Sequence, residues 1–146
     1  MIFCDTSTLA KYYVPEAESA AVRVRLDAED QVVFSELARG ELMAVFHRRL
    51  REQTWSRREF EAVTRQFIKD EVSGYWSWRL LDSVIVDEAV KIHSMLPETI
   101  FLRTADCLHL VTPCIMVLQR FIPMMFIKSG LHPLWDLWRP VSPELR

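Results

Sequence analysis

Two short apolar runs that end in polar residues predict the first two strands of this chain. Residues 1–4 run directly into Asp5 and three hydroxyl residues, and residues 31–35 are apolar and β-branched before a helical pattern begins. A short continuous apolar run is typical of a buried strand, whereas apolar positions three or four apart indicate an amphipathic helix. The alternating aromatic residues of 75–80 indicate a third short strand or extended segment.

Helical spacing of apolar residues predicts the segments between and after these runs. Two of the boundaries carry capping signals: Ser35 is a good N-cap, and Ser56 with Glu59 forms a capping box. The predicted helices cover residues 7–13, 16–26, 35–50, 56–72, 82–96 and 104–112. Strands that alternate with helices are typical of an α/β layer sandwich with a parallel sheet, and this is the fold class that we predict.

The pattern changes at Pro113. Five of the seven prolines lie in the last 34 residues, and no helical or strand period fits this stretch for long. An α/β domain should still add a strand and a helix at this point. We therefore predict one folded domain over 1–112 and an atypical tail over 113–146, with the C-terminal strand and helix missing or replaced by an irregular tail.

Composition narrows the class of protein. A chain of 146 residues, half of them hydrophobic and 26% charged, is typical of one soluble globular domain with a sizeable core. A net charge of −2 does not indicate a nucleic-acid binder, although a local basic surface can coexist with that net charge. Three cysteines without a Cys-x-x-Cys pair favour reduced thiols in a cytoplasmic protein. We see no signal peptide and expect no membrane span, because no run of 18 uncharged apolar residues occurs.

Three carboxylates occupy similar places relative to the predicted elements. Asp5 follows the first strand, Glu41 lies in the helix after the second strand, and Asp106 lies in the first turn of a later helix. If the first two strands are neighbours, all three acids can meet at the carboxyl edge of the sheet. Clustered carboxylates repel one another, and a cation such as Mg²⁺ or Mn²⁺ relieves that repulsion. Such a site is suited to activating water for phosphoryl transfer.

Each of these acids also has a simpler explanation. Asp5 is a good N-cap for the helix that follows it, and Asp and Glu residues are most often solvated on the surface. Glu36 is interpreted as a helix-start residue favoured by the helix dipole. A phosphatase motif of the form Asp-x-Asp-x-Thr is disfavoured, because Ser7 stands where the second Asp is needed.

Three segments resemble the motifs of PIN-domain ribonucleases of the VapC toxin type, in the same order and at similar separations. The segments are residues 2–13 (IFCDTSTLAKYY), 35–42 (SELARGEL) and 102–110 (LRTADCLHL). The likeness covers residues 1 to about 112 and implies a three-layer α/β/α PIN-like domain. In that family the acids that match Asp5, Glu41 and Asp106 are the catalytic residues and hold a divalent metal, Mg²⁺ or Mn²⁺. Thr6 and Ser7 would steady the site through hydrogen bonds.

The resemblance also implies an activity and partners. It implies a metal-dependent endoribonuclease whose activated water hydrolyses RNA phosphodiester bonds, leaving a 3′-hydroxyl and a 5′-phosphate. It further implies the toxin component of a toxin–antitoxin pair, with an RNA substrate, a cognate antitoxin protein that covers the site, a homodimeric state and a cytoplasmic location.

The chain departs from the family after Thr112. The family continues with a strand ending in Thr-x-Asp, whose Asp supplies a fourth acid, whereas Pro113 follows here. The alternative function is therefore a catalytically impaired remnant that retains antitoxin binding or dimerisation. A shifted reading frame groups the last base of each codon with the first two bases of the following codon. In that frame the codons of Met124-Met125-Phe126 must encode Asp-Val, and the codons just before them permit Thr-His. We hypothesise a frameshift near codons 112 and 113, which DNA sequencing tests.

Several other residues have two interpretations. Trp76 and Trp78 could stack on bases, although core packing is favoured. His47 and His109 could exchange protons, although partly buried helix positions are favoured. A basic stretch could contact RNA phosphates or form a solvated helical surface with glutamate counter-charges; it comprises Arg48, Arg49, Arg51, Arg57, Arg58 and Arg65.

Overall fold

The computed structural model of the protein describes residues 1–116. Three strands, β1 (Ile2–Cys4), β2 (Val32–Ser35) and β3 (Ser77–Arg79), form a parallel sheet in the order β1-β2-β3. Every residue of β1 and β2 is buried, as expected where helices cover both faces of a parallel sheet. The first two strands are neighbours, which is the arrangement that the clustered acids require.

Helices connect and follow the strands at the predicted places. In the described range they are α1 (Thr6–Tyr13), α2 (Ser19–Asp27), α3 (Leu37–Arg51), α4 (Arg57–Val72), α5 (Ser83–Met95) and α6 (Thr104–Ile115). The predicted three-layer α/β/α architecture is thereby confirmed. The predictions of a missing C-terminal strand and helix and of an irregular tail fall on residues 117–146 and lie outside the described residues.

The end of α6 differs from the prediction. The helix continues to Ile115 with Pro113 inside it, whereas the sequence predicts an end at Thr112. Pro113 has no N–H to donate and its ring crowds the carbonyl one turn earlier, but near the end of a helix these costs fall on a single turn. Val111 is fully buried and Ile115 packs against the same cluster, which keeps this turn in place.

The start of α3 also differs from the prediction. The sequence predicts Ser35 as the N-cap, but Ser35 is the last residue of β2 and pairs with Arg79 of β3. Glu36 takes the cap position, with helical dihedral angles and no capping side-chain bond. Ser35 Oγ still accepts a hydrogen bond from the Leu37 N–H at 3.4 Å.

The predicted capping box of α4 is present. Ser56 Oγ accepts from the backbone N–H of Glu59 at 3.2 Å, and the Glu59 carboxylate accepts from the backbone N–H of Ser56 at 2.7 Å. These two bonds satisfy backbone donors that the first turn would otherwise leave unpaired.

The core consists of two clusters of buried residues. The larger lies between the sheet and α1 to α4, where the rings of Tyr13, Phe46 and Phe67 meet edge to face. Trp76 is 3% exposed and belongs to this cluster, so its interpretation as a core residue is confirmed. The smaller cluster lies between α5 and α6 and includes Ile85, Ala89, Leu102, Cys107 and Val111.

Within residues 1–116, no helix is long and apolar enough to cross a lipid bilayer. The longest described helix, α4, has 16 residues, whereas about 20 consecutive apolar residues are needed to span the hydrocarbon core.

Candidate active site

The three predicted acids come together where β1 and β2 end. Asp5 follows β1 directly and precedes α1, Glu41 lies in the second turn of α3, and Asp106 lies in the first turn of α6. Helix α6 contacts β2, and the bond between His109 and Glu41 brings the N-terminal half of α6 close to the helix that follows β2. The negative charges of Glu41 and Asp5 both act on Asp106, so the three carboxylates lie within electrostatic reach of one another.

Asp5 is buried and caps α1. Its Oδ1 accepts hydrogen bonds from the Thr8 N–H at 2.9 Å and from the Thr8 hydroxyl at 2.8 Å. The Ser7 hydroxyl lies 2.8 Å from Oδ2 and 3.0 Å from Oδ1. The N-cap interpretation is therefore confirmed, and Ser7 supports the Asp5 carboxylate as expected. The cap holds this carboxylate in one orientation at the end of β1.

Glu41 is fixed by two partners from other helices. Its Oε2 lies 2.7 Å from His109 Nε2, and the Thr6 hydroxyl donates to the same oxygen. A carboxylate only accepts, so the proton of the imidazole belongs on Nε2. Burial acts to raise the pKa of Glu41, but the bonds from His109 and Thr6 outweigh it and the pKa is lowered. Glu41 is therefore held ionised, with its side chain 32% exposed.

The sequence singles out His109, but it does not predict that His109 bonds to Glu41. The sequence favours a partly buried helix position, and the residue is buried, with 4% exposed, but no sequence pattern indicates its bond to Glu41. Its Nδ1 is buried and has no hydrogen-bond partner among the described residues. The one signal that could have found it is spacing: His109 follows Asp106 by three residues and so shares its helix face.

Asp106 is the least constrained of the three acids. Burial raises its pKa, and the charges of Glu41 and Asp5 add to that effect against the opposing influence of Arg103 and His109. No residue in the described part of the chain hydrogen-bonds to its carboxylate, which is half-buried. Among the described residues, therefore, nothing occupies the carboxylate oxygens that a ligand would use.

The three carboxylates are of the chemical type that binds a hard divalent cation. Carboxylate oxygens are the ligands that Mg²⁺ and Mn²⁺ prefer. Burial is the main cause of the raised Asp106 pKa, and a cation would also relieve the smaller contribution from the charges of Glu41 and Asp5. As placed, no group of three or more His, Cys, Asp or Glu residues within 1–116 has the geometry to hold a metal. The hydroxyls and the imidazole around Asp5 and Glu41 already occupy several of the carboxylate oxygens.

The basic stretch is only partly neutralised. Arg49 pairs with Glu16 at 2.7 Å and Arg57 with Glu61 at 2.9 Å, as the solvated-surface interpretation expects. Three further arginines of the stretch are exposed and form no ion pair with a described residue: Arg48, Arg51 and Arg58.

The structure contradicts the interpretation of His47 and agrees with that of Glu36. His47 is exposed rather than partly buried, because the adjacent Phe46 takes the core-facing side of α3. Glu36 stands at the start of α3 and pairs with Arg39 at 3.4 Å, in agreement with its interpretation as a helix-start residue.

A parallel sheet between helices, with acids near its carboxyl edge, is the arrangement expected of a PIN-like α/β domain. The PIN domain family model matches residues 2–112, and the chain belongs to this family. The family recognised from the three motifs is thereby confirmed. The fold is similar to the crystal structure of VapC20 from Mycobacterium tuberculosis, described as a sarcin-ricin loop cleaving toxin. The TM-score is 0.65 and the identity 15%, over 83% of this chain and 87% of that chain. No curated protein matches the chain at a significant level.

Replacing His109 with leucine is expected to raise the pKa of Glu41, because the hydrogen bond from Nε2 is what chiefly lowers it. A carboxyl whose folded-state pKa is lowered stabilises the fold above its unfolded pKa, and this stability is lost as the pH falls through the folded value. The variant should therefore lose that contribution at higher pH than the wild type. Carboxyl ¹³C NMR over a pH titration measures the pKa directly.

Two variants complete this test. His109→Gln places an amide N–H near the position of Nε2 and should keep the Glu41 pKa low. His93→Leu changes an exposed histidine in the last turn of α5 and should have no effect. An unchanged Glu41 pKa in His109→Leu would show that the bond does not form in solution.

Proposed function

We propose that this chain is a divalent-metal-dependent endoribonuclease and the toxin component of a toxin–antitoxin pair. The observation that carries the proposal is the gathering of Asp5, Glu41 and Asp106 at one sheet edge of a PIN domain. The similarity in fold to a sarcin-ricin loop cleaving toxin supports RNA as the class of substrate.

In this proposal Asp5, Glu41 and Asp106 are the catalytic residues that hold Mg²⁺ or Mn²⁺. Such a cation supplies the positive charge that activates water and stabilises the phosphoryl transition state. Hydrolysis adds the water oxygen to phosphorus and breaks the bond to the 3′ oxygen, which takes up a proton, leaving a 3′-hydroxyl and a 5′-phosphate.

The remaining site residues hold these carboxylates in place. Ser7 fixes Asp5, and Thr6 and His109 keep Glu41 ionised and ready to bind a cation. A ligand held in one orientation loses little conformational entropy when the cation binds, so this preorganisation favours metal affinity.

The proposal includes partners and a location. The exposed Arg48, Arg51 and Arg58 are suited to phosphate contacts, which position RNA without reading its sequence. From the family we infer a cognate antitoxin protein that covers the acidic site, a homodimer, and action in the cytoplasm.

Cleavage of a mixed RNA substrate by the full chain tests the function. We expect cleavage in the presence of Mn²⁺, loss of cleavage with a chelator, and products that carry a 5′-phosphate. Asp5→Asn should remove the activity. Cleavage that persists in excess chelator, or that survives in Asp5→Asn, would contradict the proposal.

A second candidate function is a catalytically impaired remnant that still binds the antitoxin or dimerises. It is favoured by the cap on Asp5, because both of its carboxylate oxygens already accept hydrogen bonds from the protein. A version of the chain whose reading frame is restored from codon 113 separates the two functions. Cleavage by the restored version alone would favour the remnant for the chain as it stands.

A further inference from the structure

A pocket of about 400 Å³ lies between α1 and α4, away from the acidic site. Asp5 precedes the first residue of α1, whereas Tyr12 and Tyr13 are its last two residues, so about 10 Å of helix separates the two places. We name it the tyrosine pocket; it is lined by Tyr12, Tyr13, Val63, Gln66, Asp70 and Tyr75.

The tyrosine hydroxyls of this pocket all point at carboxylates. The hydroxyls of Tyr12 and Tyr75 lie 2.9 and 2.7 Å from Asp27 Oδ1. The Tyr13 hydroxyl donates to Asp70 Oδ2 at 2.7 Å. A phenol that donates to a carboxylate has a more electron-rich ring, and an electron-rich ring face attracts cations more strongly.

Two carboxylates accept from the hydroxyls of the pocket, Asp70 in its lining and the exposed Asp27 outside the lining, and no cation within residues 1–116 pairs with either of them. Asp70 accepts from Tyr13 and from the Gln66 amide at 2.7 Å, and Asp27 accepts from Tyr12 and Tyr75. Neither carboxylate forms an ion pair with a described lysine, arginine or histidine. Two carboxylates beside three tyrosine rings make a site whose charge is complementary to a cation.

The rings are held rigidly enough to form a binding surface. Trp76 is buried behind them, with its ring centroid 4.9 Å from that of Tyr12 and 4.6 Å from that of Tyr75. Its indole N–H donates to the Tyr13 hydroxyl at 2.7 Å, which in turn donates to Asp70. The pocket is therefore preorganised by the core and does not need to reorder when a ligand enters.

We propose that the tyrosine pocket binds an arginine side chain of a partner protein. The guanidinium stacks on the exposed ring of Tyr75 and donates to Asp70, while the apolar stem lies against Val63. A planar guanidinium fits better than an ammonium, because it stacks on aromatic faces and presents several donors to separated acceptors.

The probe for this site is N-acetyl-argininamide, titrated into the ¹⁵N-labelled full chain. We expect saturable amide shifts at Gln66, Asp70 and Tyr75, and none with the neutral citrulline analogue of the same size. N-acetyl-lysinamide should bind more weakly. The tyrosine pocket takes no part in RNA cleavage. A negative result in the argininamide titration would therefore not count against the proposed nuclease activity.

Two variants and a control make the test decisive. Asp70→Asn keeps a hydrogen-bond acceptor for Tyr13 and removes the charge, and Tyr75→Leu removes a ring that is 47% exposed. Each should weaken argininamide binding by about fivefold or more. Asp87→Asn removes the same charge from the exposed surface of α5 and should leave binding unchanged. Equal binding by all variants, equal binding of the citrulline analogue, or shifts confined to other surfaces would overturn the proposal.

Discussion

Asp106→Asn is expected to lower the rate of RNA cleavage by about a hundredfold or more while the fold remains intact. Groups that only orient a metal ligand cost about 10- to 100-fold when they are removed, so a ligand itself should cost at least as much. Asp106 has a carboxylate that no described residue hydrogen-bonds, which makes it the cleanest of the three acids to change. Single-turnover cleavage of RNA at saturating Mn²⁺ measures the effect.

The stability of Asp106→Asn should differ little from that of the wild type. The raised pKa shows that the folded state disfavours the ionised carboxyl, so a neutral amide relieves that cost above the unfolded pKa. Loss of a negative charge from the first turn of α6 costs about 0.3–1 kcal/mol and opposes this gain. The midpoint of thermal unfolding should stay within about 4 °C of the wild-type value.

Asp87→Asn is the matched control for Asp106→Asn. It removes the same charge from an exposed position on α5 and should cleave RNA at the wild-type rate. If Asp106→Asn retained full activity, Asp106 would not be a ligand, and the alternative of a surface acid would be correct.

Phe46→Ala is expected to reduce the free energy of unfolding by about 3–5 kcal/mol. Phe46 is fully buried, and its ring centroid lies 6.0 Å from that of Tyr13, 6.4 Å from that of Phe67 and 5.6 Å from that of Trp55. Removal of the ring leaves a cavity where α1, α3 and α4 meet. The free energy of unfolding of a typical domain is about 5–15 kcal/mol, so this loss would be a large fraction of it. Urea denaturation measures it.

The control for Phe46→Ala is Val72→Ala, at a position 85% exposed near the end of α4. It should change the free energy of unfolding by less than about 0.5 kcal/mol. A loss below about 1 kcal/mol in Phe46→Ala would mean that the packing around this ring is loose and that the larger cluster is not the main source of stability.

The helices and strands could be predicted from the sequence because each has a local signal. The apolar runs before Asp5 and Glu36 indicate two strands, and the Ser56–Glu59 box indicates the start of a helix. The ends of the same two strands predict that Asp5 and Glu41 lie at one edge of the sheet. These features depend on residues that are close together along the chain.

The features that were missed depend on residues that are distant along the chain. The bond between Glu41 and His109 joins positions 68 residues apart, and no local pattern specifies it. The turn beyond Pro113 stays helical because of tertiary packing by Val111 and Ile115, which overrides the local preference of proline.

Because the core is divided into two clusters, the acidic site stays assembled only while both clusters are folded. Asp5 and Glu41 are anchored in elements of the larger cluster, whereas Asp106 and His109 lie on α6, which packs with α5 in the smaller one. Regions with few buried apolar contacts open locally at a lower free energy than the whole domain. A sub-global unfolding of the α5–α6 pair would dismantle the site while the larger cluster stayed folded. If that helical pair opens at a lower free energy than the whole domain, its opening equilibrium, which hydrogen exchange measures, sets the fraction of molecules that have an assembled site.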